Sequence, residues 1–161
     1  MSEQARLDRH VRTSELQRYP AQVVTFRVAD RLFGVDVSVV REIKSWQPTT
    51  SLPDTEAHVL GVINLRGQIV PVYDLRLLIG LDQVDSSAGK VVVVLDVEGQ
   101  PHGIVADDVS DILDVGQDEF RPSPVATGER ELVSTLIVKN ESVISLMNPG
   151  FVSSRSSLSA H

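Results

Sequence analysis

The 161-residue sequence contains no cysteine, which excludes a disulfide scaffold, a cysteine-ligated zinc site and thiol catalysis. Aromatic residues make up only 4% of the chain, too few for a surface on which single-stranded nucleic acids stack. The 15 Lys and Arg residues against 22 Asp and Glu give a net charge of −7, the opposite of a nucleic-acid-binding surface. Every apolar run falls short of the roughly 20 residues that span a bilayer, and the N-terminus lacks the apolar region of a signal peptide. The sequence therefore predicts a soluble, cytoplasmic protein that neither binds nucleic acid nor inserts into a membrane.

Motifs for catalysis or cofactor binding are also missing. The four histidines show no spacing of the HExxH type. The Gly89-Lys90 pair resembles the end of a phosphate-binding loop, but Val84 stands where its first glycine belongs and Val91 where Ser or Thr belongs. A cluster of aspartates lacks the alternating ligands and turn glycine of a calcium loop and is typical of a solvated strand face: Asp107, Asp108, Asp111 and Asp114. We therefore expect no enzyme, no metal site and no cofactor.

Short valine-rich runs separated by turn residues fill the middle of the chain, and they favour strands over helices. The most apolar run, VVVVL within residues 90–97, is typical of a strand that is buried on both faces. The polar residues 1–20 and the serine-rich residues 149–161 are expected to be flexible tails. The predicted fold is mainly all-β, with a few short helical turns, over residues 21–148.

An internal repeat divides this region into two halves. Residues 33–43, which begin with FGV, align without a gap with residues 102–112, which begin with HGI, and residues 66–70 (RGQIV) align with residues 140–144 (NESVI). Each half is small for a stable core of its own, so the two are expected to pack together. We predict two small β-barrels of similar plan with a seam between them. His102 takes the place of a phenylalanine in the repeat and is expected to be a packing residue.

One hairpin stands out, with the sequence GVINLRGQIVPVYDLR over residues 61–76. Gly67 supplies the positive φ that a tight turn needs. Its neighbours Asn64, Leu65 and Arg66 give an amide, an expected exposed aliphatic side chain and a fixed charge. An arginine at this place is either a solvated turn residue or a contact for a carboxylate, since its planar donor fork suits interfaces. Physical reasoning alone leaves the two interpretations equal.

That hairpin closely resembles the core signature of the CheW family of bacterial chemotaxis proteins. The segments FRVADRLFGVDVSVVREI, HGIVADDVSDILDV and DEFRPSP resemble further family segments in the same order, so that the resemblance runs from about Val23 to Leu146. It implies two intertwined five-stranded SH3-like barrels. It also implies a non-catalytic adaptor that couples the cytoplasmic helical hairpin of transmembrane, methyl-accepting chemoreceptors to the regulatory domain of a CheA-type histidine kinase. Such a cytoplasmic protein would be recruited to membrane-associated receptor arrays.

The resemblance also implies two binding surfaces. The expected receptor-binding residues are Asn64, Leu65, Arg66, Gly67, Val92, Gly103, Val109 and Ile112. The expected kinase-binding residues are Val40, Glu42, Ile43 and Gly61. Family members end in a helix after the last strand, whereas Pro149-Gly150 is expected to block a helix here.

Two alternatives remain open at this point. The same adaptor fold could serve a non-flagellar chemosensory array that controls twitching motility or second-messenger output. A small β-barrel that binds a ligand is the other class, although it would use more aromatic residues than this chain has.

Overall fold

Eleven strands carry the fold in the computed structural model, which describes residues 19–53, 59–80, 90–124 and 132–152. In chain order the strands are β1 Gln22–Val28, β2 Arg31–Asp36, β3 Val40–Ser45, β4 Val59–Leu65, β5 Gln68–Asp74, β6 Val91–Val97, β7 Gln100–Ala106, β8 Asp108–Asp114, β9 Phe120–Pro122, β10 Val133–Lys139 and β11 Ser142–Met147. Short helical elements join some of them: 3-10 turns at Val37–Val39 and Gln117–Glu119, and α1 at Leu75–Leu78. None of the helices in these ranges is long and apolar enough to cross a membrane.

The strands form two mixed sheets, which confirms the mainly-β prediction. The six-stranded sheet has the order β8-β1-β2-β11-β10-β9, and the five-stranded sheet has the order β3-β6-β7-β5-β4. Neighbours are antiparallel except for two parallel pairs, β2 with β11 and β5 with β7. The strand that exceeds the expected five per barrel is β9, three residues long, which pairs with β10 at the sheet edge.

The two halves of the chain exchange hairpins, as an intertwined fold requires. The six-stranded sheet combines β1 and β2 from the first half with β10 and β11 from the second, and the five-stranded sheet combines β6 and β7 with β4 and β5. The exchange follows the sequence repeat closely. Leu146 lies beside Gly34 in one parallel pair, and Val72 lies beside Gly103, the repeat partner of Gly34, in the other.

A shared hydrophobic core fills the space between the sheets. The six-stranded sheet contributes Phe26 and Phe33, whose rings stack with centroids 5.8 Å apart, and the five-stranded sheet contributes Tyr73 and Leu95. Each sheet also curls around a smaller cluster of its own. The valine-rich β6 serves both cores, since alternate residues belong to the shared and the local cluster. Its predicted burial on both faces is confirmed.

The C-terminal boundary differs from the prediction. Backbone residues 150–152 are helical, and Phe151 and Val152 lie buried in the shared core. Asn148 caps this turn, because its side chain accepts a hydrogen bond from the Gly150 amide at 3.0 Å. Proline is tolerated in the first turn of a helix, where its missing N–H is not needed. The expectation that Pro149-Gly150 blocks a helix was therefore wrong, and the rest of the predicted tail, residues 153–161, lies outside the described residues.

At the N-terminal end the folded region also begins earlier than predicted. The Tyr19 ring stacks on Phe120 with centroids 4.2 Å apart, and the Gln117 side chain donates to the Tyr19 carbonyl at 3.3 Å. Residues 19 and 20 are thus attached to the six-stranded sheet. Residues 1–18 lie outside the described part.

Candidate protein interface

The tip of the β4–β5 hairpin is a tight turn with two residues at positive φ. Arg66 has φ 52° and Gly67 has φ 85°, as expected for the turns that match the twist of a two-residue hairpin. The Asn64 side chain accepts a hydrogen bond from the Gly67 amide at 2.8 Å, which stabilises the turn. The predicted turn is present.

Arg66 makes a two-pronged contact with Glu42 on β3. Its Nη1 and Nη2 atoms donate to the two carboxylate oxygens at 2.6 and 3.0 Å. The hydrogen bond from Arg66, followed by its charge, outweighs desolvation and lowers the pKa of Glu42, and the same contact raises the pKa of Arg66. The Arg66 side chain is nevertheless 72% exposed. A guanidinium that is aligned by one carboxylate and still open to solvent can meet a second acceptor on a partner.

Leu65 does not lie where the sequence predicted it. It is only 7% exposed and packs into the local core of the five-stranded sheet with Ile63 and Val70. The exposed aliphatic residue of this hairpin is Ile69, 61% exposed, opposite Asn64 on the neighbouring strand. The alternation of side chains along a strand could have predicted this burial, because Ile63 and Leu65 share the inward face while Asn64 points outward.

The other expected receptor-binding residues are divided between the two sheets. Val92 on β6 and Gly103 on β7 are buried, and a Cβ atom on Gly103 would lie 2.9 Å from Val92 Cγ1. A partner cannot reach these two residues directly, and both are packing residues of the five-stranded sheet. On β8, Val109 is half-buried against the shared core, whereas Ile112 is 56% exposed. The accessible members are therefore Asn64, Arg66 and Gly67 at the hairpin tip of the five-stranded sheet, together with Ile112 on the six-stranded sheet.

The four expected kinase-binding residues all belong to the five-stranded sheet. Ile43 is exposed on the edge strand β3, and Val40 on the same strand is half-buried. Gly61 on β4 is buried at φ 147°, and a Cβ atom there would lie only 2.3 Å from the Thr50 carbonyl oxygen. Thr50 and Val62 exchange two backbone hydrogen bonds of 2.9 Å beside it. The absence of a side chain at Gly61 thus leaves the room that the Thr50 backbone needs to pair with Val62.

His102 is buried beside Tyr73, with ring centroids 5.8 Å apart. Burial lowers its pKa, and the negative charge of Glu98 opposes this only in part. His102 is therefore a packing residue, as predicted. Within the described ranges, no three His, Cys, Asp or Glu side chains form a group that could hold a metal ion.

Comparison with known proteins identifies the family to which this architecture belongs. The profile of the CheW-like domain matches residues 22–156. The chain belongs to the CheW family. It is similar to the probable chemotaxis protein CheW of Rhizobium etli, with 38% identity over 68% of this chain and 71% of the relative. It is also similar to the chemotaxis protein CheW of Bacillus subtilis, with 29% identity over 74% of this chain and 78% of that protein.

A solved structure supports the same assignment. The crystal structure of the scaffolding protein TtCheW from Thermoanaerobacter tengcongensis superposes with a TM-score of 0.74 at 27% identity, covering 81% of this chain and 90% of that one. The matched residues 22–156 reach past the predicted boundary at 148, in accord with the buried Phe151 and Val152. The chain is a non-catalytic CheW scaffold of chemotaxis signalling, as the sequence predicted.

Proposed function

We propose that the chain couples the cytoplasmic helical hairpin of methyl-accepting chemoreceptors to the regulatory domain of a CheA-type histidine kinase. In this role it is a cytoplasmic protein, recruited to receptor arrays at the membrane. The contact between Arg66 and Glu42 carries the proposal, because it joins a residue of the expected receptor surface to one of the expected kinase surface. An adaptor needs such adjacent surfaces on one rigid support, and both residues sit on the same five-stranded sheet.

The receptor surface is centred on the exposed Arg66 and Ile69 of the β4–β5 hairpin. A helical hairpin offers carboxylates and carbonyl oxygens to the guanidinium and apolar side chains to Ile69. Arginine is enriched at interface centres because one side chain combines an apolar stem with a directional donor fork. The contact to Glu42 aligns this fork before a partner arrives, which lowers the entropy that binding would otherwise lose.

The kinase surface lies along β3, where Ile43 is exposed beside Glu42. An edge strand presents unpaired backbone groups as well as side chains, so that another β-domain can pack against it. The net charge of −7 favours a partner that presents basic groups around its apolar contact.

Titration of the purified chain with two isolated partners tests this function. We expect a receptor cytoplasmic fragment and a kinase regulatory domain to bind at the same time, without nucleotide or metal. Arg66→Ala should weaken the receptor interaction and Ile43→Ser the kinase interaction.

The other sheet supplies matched controls for both substitutions. Asn140→Ala alters the equivalent hairpin tip, where φ is 50° against 52° at Arg66, and Val143→Ser removes an exposed apolar side chain from the other sheet. Both controls should leave the binding of both partners unchanged. Failure of the wild-type chain to bind either partner at high micromolar concentration would overturn the proposal.

A further inference from the structure

Asp107 occupies the position where the chain leaves β7 in the five-stranded sheet and enters β8 in the six-stranded sheet. Its carboxylate accepts hydrogen bonds from Lys90 Nζ at 2.5 Å, from Arg76 Nη2 at 3.1 Å and from the Ala29 amide at 2.7 Å. Its own amide donates to the Arg27 carbonyl at 2.8 Å. The expectation of a solvated aspartate was therefore wrong for this residue.

These partners come from both sheets. Lys90 directly precedes β6, and Arg76 lies on α1 at the end of β5, so both cations belong to the five-stranded side. Ala29 and Arg27 belong to the β1–β2 hairpin of the six-stranded sheet. One carboxylate thus ties the two sheets together at the seam.

The three charged side chains of this cluster are mostly buried, with 21% of Asp107, 15% of Lys90 and 19% of Arg76 exposed. Burial alone would raise the pKa of Asp107, but the hydrogen bonds from Lys90 and Ala29 and the charges of Lys90 and Arg76 hold it below its ordinary value. An ion pair that is buried in this way resists distortion, because separating the partners leaves an uncompensated charge.

Among the residues that the structure describes, the equivalent crossing in the first half of the chain shows no such ionic contact. There the chain passes from β2 to β3 through Ser38, the repeat counterpart of Asp107. The Ser38 amide and hydroxyl both bond to the Asp36 side chain at 2.9 Å, two residues away. The ionic contact is thus specific to the connection between β7 and β8. The equivalent connection between β2 and β3 passes from one sheet to the other without it.

We propose that Asp107 is a positioning residue, which fixes the orientation of β8 relative to the five-stranded sheet and so holds the two accessible parts of the receptor surface together. This inference rests on the proposed function. Arg66 lies on the five-stranded sheet, whereas Ile112 lies on β8, five residues after Asp107. A change of angle between the sheets therefore changes the distance between these two residues. The kinase surface stays intact, since its residues all lie on one sheet.

The matched pair Asp107→Asn and Asp108→Asn tests the inference. Asp108 follows directly in sequence, and its ion pair with Arg27 joins two strands of the same sheet, β8 and β1. We expect Asp107→Asn to weaken receptor-fragment binding by about five-fold or more while binding of the kinase regulatory domain is unchanged. Asp108→Asn should change neither. Equal losses of both affinities in Asp107→Asn would show a merely structural role and overturn the proposal.

A distance measurement reports on the sheet orientation itself, independently of any partner. The chain has no cysteine. In the double variant Gln68→Cys, Ser142→Cys, spin labels therefore attach only at these two introduced cysteines. These exposed positions are equivalent in the two hairpins, one on each sheet. The distance distribution should broaden when Asp107→Asn is added and stay narrow with Asp108→Asn. An unchanged distribution would contradict the proposal even if the protein melts at a lower temperature.

Substitutions of Lys90 give the same test from the other side of the contact, should Asp107→Asn fail to fold. Lys90→Met removes the charge and keeps most of the apolar stem, so that it should broaden the distribution and weaken receptor binding. Lys90→Arg keeps a donor and should restore both. If the wild-type chain binds no receptor fragment, the proposed function fails, whereas the label distances still decide the role of Asp107.

Discussion

Arg66 and Glu42 lie 24 residues apart in the chain and are joined by two side-chain hydrogen bonds of 2.6 and 3.0 Å. One residue stands at a hairpin tip and the other on an edge strand of the same sheet. A partner carboxylate that approaches Arg66 therefore meets a guanidinium that Glu42 has already aligned, and a partner on β3 meets a glutamate that already has a counterion. The two proposed surfaces share one pair of charges.

The role of Arg66 can be graded by substitution. Arg66→Ala should weaken receptor-fragment binding by about ten-fold or more, as at interface hot spots. Arg66→Lys should be intermediate, because it keeps the charge but loses the fork. Arg66→Glu should be worst, since it opposes both an acidic partner and Glu42. Calorimetric titration measures the affinities, with circular dichroism melts as the control. Equal affinities in all variants would make Arg66 an ordinary turn residue.

Glu42→Gln removes the ion pair while Arg66 remains. The pKa of Glu42 is lowered in the fold by the hydrogen bond from Arg66. The stabilisation is therefore fully present above its ordinary pKa of 4.5 and is lost as the pH falls through the lowered value. Because the contact is exposed, the difference in melting temperature from the wild type should be small and should shrink with added salt. A difference that persisted at pH values below the lowered pKa would contradict this origin.

Two glycines of the β4–β5 hairpin should differ in their tolerance of alanine. At Gly67, a Cβ atom has nothing within 4 Å, so Gly67→Ala carries only the strain of positive φ, about 1 kcal/mol. At Gly61 the Cβ atom would collide with the Thr50 carbonyl, so Gly61→Ala should cost roughly 2 kcal/mol or more and weaken kinase-domain binding. Denaturant unfolding measures both. Similar midpoints for the two variants would show that the Thr50 loop yields freely.

His102 should make stability depend on pH. Its pKa is lowered by burial, so below its ordinary value of 6.5 the unfolded chain takes up a proton that the folded chain resists. Stability should therefore fall as the pH drops through this region. His102→Phe, which copies the buried Phe33 of the other half, should remove that fall. Melts between about pH 7.5 and 5.5 test the difference between variant and wild type. Parallel curves would mean that His102 does not titrate differently on folding.

The helical turn after β11 should contribute to stability. Phe151→Ala empties a buried site in the shared core and should cost about 3–5 kcal/mol. Val143→Ala, on the exposed face of β11, should cost much less. Guanidinium unfolding compares the two. A chain truncated after Asn148 that unfolds like the full-length protein would show that this turn adds nothing.

Much of the fold could be predicted because its signals are local. Valine-rich runs with turn residues between them predict strands. The aligned segments around Gly34 and Gly103 predicted two halves of the same architecture, and these two glycines take equivalent places in the two parallel strand pairs. The tail boundary was missed because a proline can either stop a helix or start one, and only the cap provided by Asn148 together with the burial of Phe151 decides which.

The site was harder to predict, since it depends on contacts between distant strands. That Arg66 meets Glu42 follows from how β3 and the hairpin tip approach each other, and no spacing in the sequence records it. At Gly61 the Thr50 carbonyl leaves no room for a Cβ atom. Asp107 is covered by its ion-pair partners Lys90 and Arg76. Both relations join residues that are distant in the sequence. The burial of Leu65 could have been predicted from the alternation of side chains along β4. The prediction of an exposed side chain instead followed the polar neighbours Asn64 and Arg66.

The exchange of hairpins between the two halves has a consequence for biosynthesis. The Arg31 side chain donates to Ser145 Oγ at 3.2 Å across 114 residues of chain, beside the parallel pairing of β2 and β11. Such distant pairing makes folding slow, because the chain must close a long loop before the contacts form. During synthesis, the edge of β2 that pairs with β11 therefore stays unpaired until the last hairpin has left the ribosome. An unpaired strand edge is a site for aggregation and chaperone capture, so we expect the nascent chain to be exposed to both during that interval.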